Sequence, residues 1–98
     1  MDEEAKPQVY VMTAKIPEEG IEKFNDYESR VIPLLKEHGA KLQKRLQSID
    51  RLNEVHIIWF PSSQFFDNFR NDPRRSQFAY LLEESGATTH LMIMNELQ

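Results

Sequence analysis

The sequence predicts an α+β domain with element order β-α-β-β-α-β. This is the ferredoxin-like arrangement, a four-stranded antiparallel sheet in the order 4-1-3-2 with helices on one face. Three observations predict it. Four short stretches at residues 8–16, 40–49, 54–60 and 87–97 have strand-like composition or alternation. The segments after the first and third carry apolar residues at helical spacing. Only a turn-length run separates the second stretch from the third, which makes those two a hairpin.

Each element follows from its residues. "QVYVMTAKI" is the first strand, and Pro17 stops it. In the next segment Ile21, Phe24, Tyr27, Val31 and Leu34 or Leu35 fall on one helical face. Pro17, Glu18 and Glu19 suit a helix start, and His38-Gly39 marks its end. Pro33 sits inside this pattern and is expected to kink or divide the helix. "AKLQKRLQSI" places Leu42 and Leu46 on one face among lysine and arginine, an edge-strand composition. "DRLN" is a turn, and "EVHIIWF" is the third strand, ended by Pro61. Ser62 or Ser63 caps a helix whose Phe65, Phe66 and Phe69 read as core. Asp72-Pro73 is a second cap, opening one helix over residues 73–84 that presents Phe78, Leu81 and Leu82. Gly86 ends that helix, and "ATTHLMIMNEL" is the fourth strand. Residues 1–7 read as a disordered tail, and residues 8–98 as a single domain.

Bulk properties narrow the function classes. The chain has 98 residues, a formal net charge of -4 and no cysteine. Disulfides and thiolate chemistry are excluded, and an acidic balance argues against a broad nucleic-acid-binding face. The strand "EVHIIWF" lacks the basic-glycine-aromatic pattern of RNA-binding relatives of this topology. The acidic, polar start does not read as a secretory signal, and no apolar run approaches the about 20 residues a membrane span needs. The expected setting is cytoplasmic, without a membrane partner.

Strand alternation predicts a second subunit. In the third strand Val55, Ile57 and Trp59 share one face, while His56, Ile58 and Phe60 share the other. In the fourth, Leu91 and Ile93 oppose Met92 and Met94; in the first, Val9 and Val11 oppose Tyr10, Met12 and Ala14. Both faces are apolar, yet helices can cover only one. A two-fold partner presenting the same face is the simplest cover, so a homodimer is expected.

These residues resemble the dimeric α/β-barrel (ferredoxin-like) superfamily over residues 8–96. The motifs are Tyr10-Val11-Met12, Tyr27 with "PLLKEHG" at residues 33–39, and Phe60-Pro61-Ser62. Within the superfamily they are most similar to its small uncharacterised "F-P-S" domains; "NDPR" at residues 71–74 resembles the break before the last helix of such proteins. "NEVHIIW" is also similar to the NIPSNAP-type branch. The resemblance implies two sheets packed face to face across a dimer, with a pocket between sheet and helices or inside the barrel. Relatives include cofactor-free monooxygenases, haem-degrading enzymes, isomerases and dehydratases. Similar sequences often carry an acidic residue just before the "F-P-S" step. Trp59 stands there instead, which argues against an acid–base role at that position.

The candidate ligand-binding residues are Tyr10, His56, Trp59 and His90. Histidine is the usual proton shuttle near neutral pH. His56 and His90 lie on non-adjacent strands and can face one cavity across the first strand, or each can be satisfied within the sheet. Trp59 offers a flat wall for an aromatic ligand, or packs in the core or dimer. Tyr10 can donate a hydrogen bond into a cavity, or sit at its rim. Met12, Met92 and Met94 make a soft patch, either dimer core or pocket wall. His38 reads as a helix-end residue. Arg70, Arg74 and Arg75 either bind an anion or balance nearby acids. No metal site is expected, because no two histidines have local ligand spacing, and no cofactor is implied. Two readings stand: a cofactor-independent monooxygenase-like or isomerase-like enzyme acting on a small apolar molecule, and a non-catalytic ligand-binding or structural dimerisation module.

Overall fold

The computed structural model describes residues 6–97. The first five residues of the predicted tail lie outside the described residues; Lys6 and Pro7 are exposed and precede the first strand. The elements are β1 (Gln8–Lys15), a 3-10 turn (Glu18–Gly20), α1 (Ile21–Glu37), β2 (Lys41–Gln47), β3 (Asn53–Phe60), α2 (Ser63–Arg70), α3 (Pro73–Gln77), α4 (Ala79–Ser85) and β4 (Thr88–Met94). The sheet is antiparallel in the order β2-β3-β1-β4, the ferredoxin-like topology, with the helices on one face.

Registers fix the two faces of the sheet. Tyr10 stands opposite Ile58, Met12 opposite His56 and Ala14 opposite Glu54. Tyr10, Ala14, Glu54, His56, Ile58 and Phe60 are buried, so this face lies under the helices. Phe24, Tyr27, Val31, Leu34 and Leu35 of α1 pack down on it. The aromatic centre of the core joins three elements: the Tyr10 ring stacks on Phe66 with centroids 4.2 Å apart, and Phe60 meets both rings edge-on.

Two glycines permit close geometry. A Cβ on Gly20 would lie 1.8 Å from the Ser85 carbonyl oxygen, so only glycine lets the start of α1 meet the end of α4. Gly39, at φ +73°, closes α1 in a Schellman motif: Gly39 N–H donates to the Lys36 carbonyl and Ala40 N–H to that of Leu35.

The structure departs from the sequence expectations at several points, each with a local cause. Pro33 does not divide α1, which runs unbroken to Glu37. The carbonyl it leaves without a helical donor is that of Ser29, at an exposed position where water can reach it. The single helix expected over residues 73–84 is two helices. Phe78 leaves helical geometry (φ -107°, ψ 6°), and three-residue turns run from Phe78 N–H to the Arg75 carbonyl and from Leu81 N–H to that of Phe78. Leu42 and Leu46 do not share a face. A β-bulge between Leu42 and Lys44 sets Leu42 opposite Ile58 under the helices and Leu46 opposite Val55 on the far face. Phe65 is exposed rather than core. Ser62 stands at the start of α2, but its hydroxyl makes no cap bond, whereas Asp72 caps α3 by accepting from Arg74 N–H at 2.9 Å. The fourth strand is shorter than expected, ending at Met94.

The far face carries Val9, Val11, Val55, Ile57, Trp59, Met92 and Met94, and none of them is buried. No helix among the described residues is long and apolar enough to cross a membrane.

Candidate active site beneath the helices

A cavity of about 300 Å³ lies between the helix face of the sheet and α1, α2 and α3. Its walls are mostly apolar and aromatic, and at one end polar side chains converge: Glu28, His56, Tyr27 and Arg75. This polar end is built from local rules. His56 is at the middle of a central strand, on the face the helices cover. Glu54, two residues earlier, has the same orientation by strand alternation. Glu28 lies four residues after Phe24 and three before Val31, inside the apolar stripe of α1, so burying that stripe buries the carboxyl. The β2 bulge sets Arg45 opposite His56, where it reaches Glu54.

The hydrogen bonds give each group a role. Arg45 Nε donates to Glu54 Oε1 at 3.0 Å. The same oxygen lies 2.9 Å from His56 Nε2. An oxygen accepting from a guanidinium also accepts from the ring, so Nε2 carries the imidazole proton. His56 Nδ1 is then the free lone pair. It points toward Glu28, whose Oε2 is 3.9 Å away, beyond a direct hydrogen bond but close enough for one shared atom to bridge.

Burial shifts both partners toward neutrality. It pushes the Glu28 carboxyl up to about 7; Arg45 and Arg75 oppose this, and Glu54 adds to it. It also holds the His56 imidazole below the usual histidine value, with the Glu54 hydrogen bond as the main opposing influence. A neutral imidazole with a free lone pair therefore faces a carboxyl that gains and loses its proton near neutrality. That pair can accept a proton and return one.

The four residues singled out from the sequence separate by face. Tyr10 and His56 line the cavity. The Tyr10 hydroxyl, however, donates to Gln8 Oε1 at 2.5 Å, so the residue offers the cavity its ring. Burial, with a contribution from Asp67, raises its pKa further. Trp59 and His90 lie on the far face. Trp59 is half-buried, with the Lys41 ammonium 5.2 Å from its ring centroid. His90 pairs with Thr13 and is exposed. His56 and His90 therefore do not share a cavity, because Met12, opposite His56, and Thr13, opposite His90, point to different faces of β1.

Sequence reasoning does not select Glu28, Glu54 or Arg45, and it takes Arg75 only as one of a cluster with Arg70 and Arg74 that either binds an anion or balances nearby acids. Two signals were available: a glutamate inside the apolar stripe of α1, and a second one two residues before His56 on a buried face.

The arginines near the α3 start divide as well. Arg74 Nη2 lies 2.8 Å from Asp72 Oδ2 and Nη1 lies 2.9 Å from Glu37 Oε1, and His38 Nε2 is 2.8 Å from Asp72. Arg74 foremost, with His38, holds the Asp72 carboxyl well below the usual carboxylate range. This clasp ties the end of α1 to the start of α3. Arg75 instead turns to the cavity. Among the described residues no three metal-ligating side chains converge.

The chain matches no protein-family model and no curated protein sequence. Solved structures do resemble it. The cofactor-independent oxygenase SnoaB from Streptomyces nogalater superposes with a TM-score of 0.79 at 14% identity, over 96% of each chain. A protein of Nitrosomonas europaea assigned as an antibiotic biosynthesis monooxygenase gives 0.79 at 12% identity, over 99% of this chain and 96% of that one. A conserved protein from Methanosarcina mazei gives 0.79 at 15% identity, over 97% of each. Over nearly its whole length the chain therefore has the ferredoxin-like fold of these proteins.

Proposed function

We propose that the cavity beneath the helices is the active site of a cofactor-independent, monooxygenase-like enzyme acting on a small, largely apolar molecule. The observation that carries this reading is the series Arg45–Glu54–His56–Glu28, buried from Glu54 onward, which ends at the cavity with one free imidazole lone pair and one carboxyl near neutrality. The fold shared with a protein described as a cofactor-independent oxygenase supports it by analogy.

The chemistry asks for proton transfer. His56 Nδ1 takes a proton from an acidic carbon beside a carbonyl or aromatic ring. The resulting carbanion, delocalised as an enolate, gives electrons to O₂, and the adduct takes up a proton as a hydroperoxide. Loss of water then leaves a ketone, so CH₂ and O₂ become C=O and H₂O. Glu28 supplies and recovers protons at the same end of the cavity, and the apolar aromatic walls strengthen each electrostatic contact. The first test is oxygen uptake with aryl ketones that carry an enolisable CH2 group. Uptake should exceed the uncatalysed rate and fall by roughly 10²-fold or more in His56→Ala. No uptake above background, or a variant as fast as wild type, would sink the reading.

The presence of both a proton acceptor and a proton donor on one cavity also favours isomerisation, in which the proton returns to another carbon. Deuterium incorporation from heavy water without oxygen uptake identifies that outcome. Saturable binding with neither reaction identifies a ligand-binding module.

The assembly we propose is a homodimer packed through the far sheet face. Exposing Val11, Ile57, Trp59, Met92 and Met94 forgoes roughly 1.5–3 kcal/mol for each side chain that would otherwise be fully buried. A second copy of the same face covers them without a new surface. A cytoplasmic setting fits a cysteine-free chain of this kind.

A further inference from the structure

We propose that the ligand of this cavity carries a carboxylate, or an oxyanion of the same shape, that pairs with the Arg75 guanidinium. The proposal rests on the reading of the cavity as a ligand site and adds the chemical class of the ligand.

Arg30 pairs with Asp26, Arg45 with Glu54, and Arg74 with both Asp72 and Glu37. Arg51 and Arg70 make no ion pair among the described residues, but both are exposed to solvent. Arg75 is half-buried on the cavity wall, and among the described residues it has no carboxylate at ion-pair distance. Its recorded acceptors are both neutral: the Arg70 carbonyl at 3.1 Å and the Tyr27 hydroxyl at 3.3 Å. Its Nε is buried with no protein acceptor. A guanidinium has five N–H donors, so most of this one's capacity is unused. Shortage of acid is not the cause, since Asp and Glu outnumber Lys and Arg by 16 to 12. A half-buried cation with no carboxylate at ion-pair distance is unfavourable, and a ligand anion removes that penalty.

The setting also fixes geometry. The Arg75 guanidinium carbon lies 4.8 Å from the Phe69 ring centroid. Stacking and the two hydrogen bonds hold the planar fork in place, which suits two-oxygen recognition. Near it Glu28, nine-tenths buried, has no hydrogen-bond partner among the described residues and lines the same cavity. When protonated it can donate to an oxygen of the ligand. Tyr10, Phe60 and Phe66 offer flat apolar walls, and about 300 Å³ is the small end of ligand pockets. The class that fits is a one- or two-ring aromatic carboxylate.

Titration calorimetry on the full chain tests this with benzoate and 2-naphthoate against the neutral partners benzyl alcohol and 2-naphthalenemethanol. The carboxylates should bind about tenfold more tightly than their alcohol partners. Arg75→Gln should abolish that preference, and Arg75→Lys, which keeps the charge without the fork, should retain only part of it. Circular dichroism melts check that each variant folds, and if Arg75→Gln does not, the partial loss in Arg75→Lys decides. Equal binding of acid and alcohol, no binding of any acid, or an unchanged preference in the variants overturns the proposal. The oxygenase reading fails independently: anion preference with no oxygen uptake leaves the ligand class standing and removes the reaction.

Discussion

Glu54 and His56 stand two residues apart on the covered face of β3, both buried, with Glu54 Oε1 2.9 Å from His56 Nε2. A strand places such a pair side by side by its pleat alone. The bond fixes which imidazole nitrogen is free and aims it at Glu28 and the cavity. Replacing His56 with alanine removes the proton acceptor and leaves Glu54 with one donor fewer. Turnover should fall by roughly 10²–10⁴-fold and stability by about 1–3 kcal/mol. Steady-state kinetics and urea melts read the two effects separately.

Glu28 should make the protein less stable as pH rises. Its carboxyl has an ordinary value of 4.5 and is pushed up to about 7 in the fold. Between those values the unfolded chain releases a proton that the folded chain keeps. Stability is therefore highest below the unfolded value and declines until pH passes the folded one. Above about pH 7 the deficit is on the order of 3 kcal/mol. Glu28→Gln should remove this slope: little changed in stability at pH 4, more stable than wild type at pH 8, and poorer in turnover. Melts across pH 4–8 check it, and a wild-type curve no steeper than the variant's would contradict it.

Arg45 should act through Glu54. Arg45→Met leaves a buried carboxylate short of its charged partner, a loss of about 2 kcal/mol for a pair open to solvent on one side. The pH dependence of turnover should move with it, and Arg45→Lys should recover most of the stability. A purely structural role would leave the pH profile in place.

The Asp72 clasp is a stability device. Its carboxyl, depressed by Arg74 and His38, contributes above the ordinary value of 3.8 and loses that contribution as pH falls below it through the depressed folded value. Asp72→Ala removes the α3 cap, and the melting temperature should drop by roughly 5 °C at neutral pH. The drop should shrink in strong acid, where the wild-type carboxyl also protonates.

The far face predicts assembly. Ile57→Glu puts a charge at its centre, opposite Val11 and Lys44. Light scattering should report a dimer for wild type and a monomer for the variant at micromolar concentration. A stable wild-type monomer would remove the dimer from the account.

The order of elements was legible because strand composition, caps and helical spacing agree from residue 8 onward. The failures came where tertiary contacts decide. Nothing local announces the β2 bulge, yet it moves Leu46 to the far face and brings Arg45 to Glu54. Phe78 breaks a helix whose sequence reads as continuous. In the site, His56 was legible as a polar residue on an apolar strand, and Trp59 stood out as a large flat ring on the same strand, but on the wrong face for this cavity. Glu28 and Arg75 were less visible, because each becomes unusual only once neighbours from other elements enclose it.

The central claim is that Glu28 and His56 form a neutral, proton-exchanging pair at the cavity. Nuclear magnetic resonance titration of the Glu28 carboxyl carbon and the His56 ring nitrogens tests it most directly. The account predicts a Glu28 transition near 7 and a neutral His56 with its proton on Nε2 across that transition. A Glu28 transition near 4.5, together with a His56 that becomes charged at its ordinary value, would contradict it.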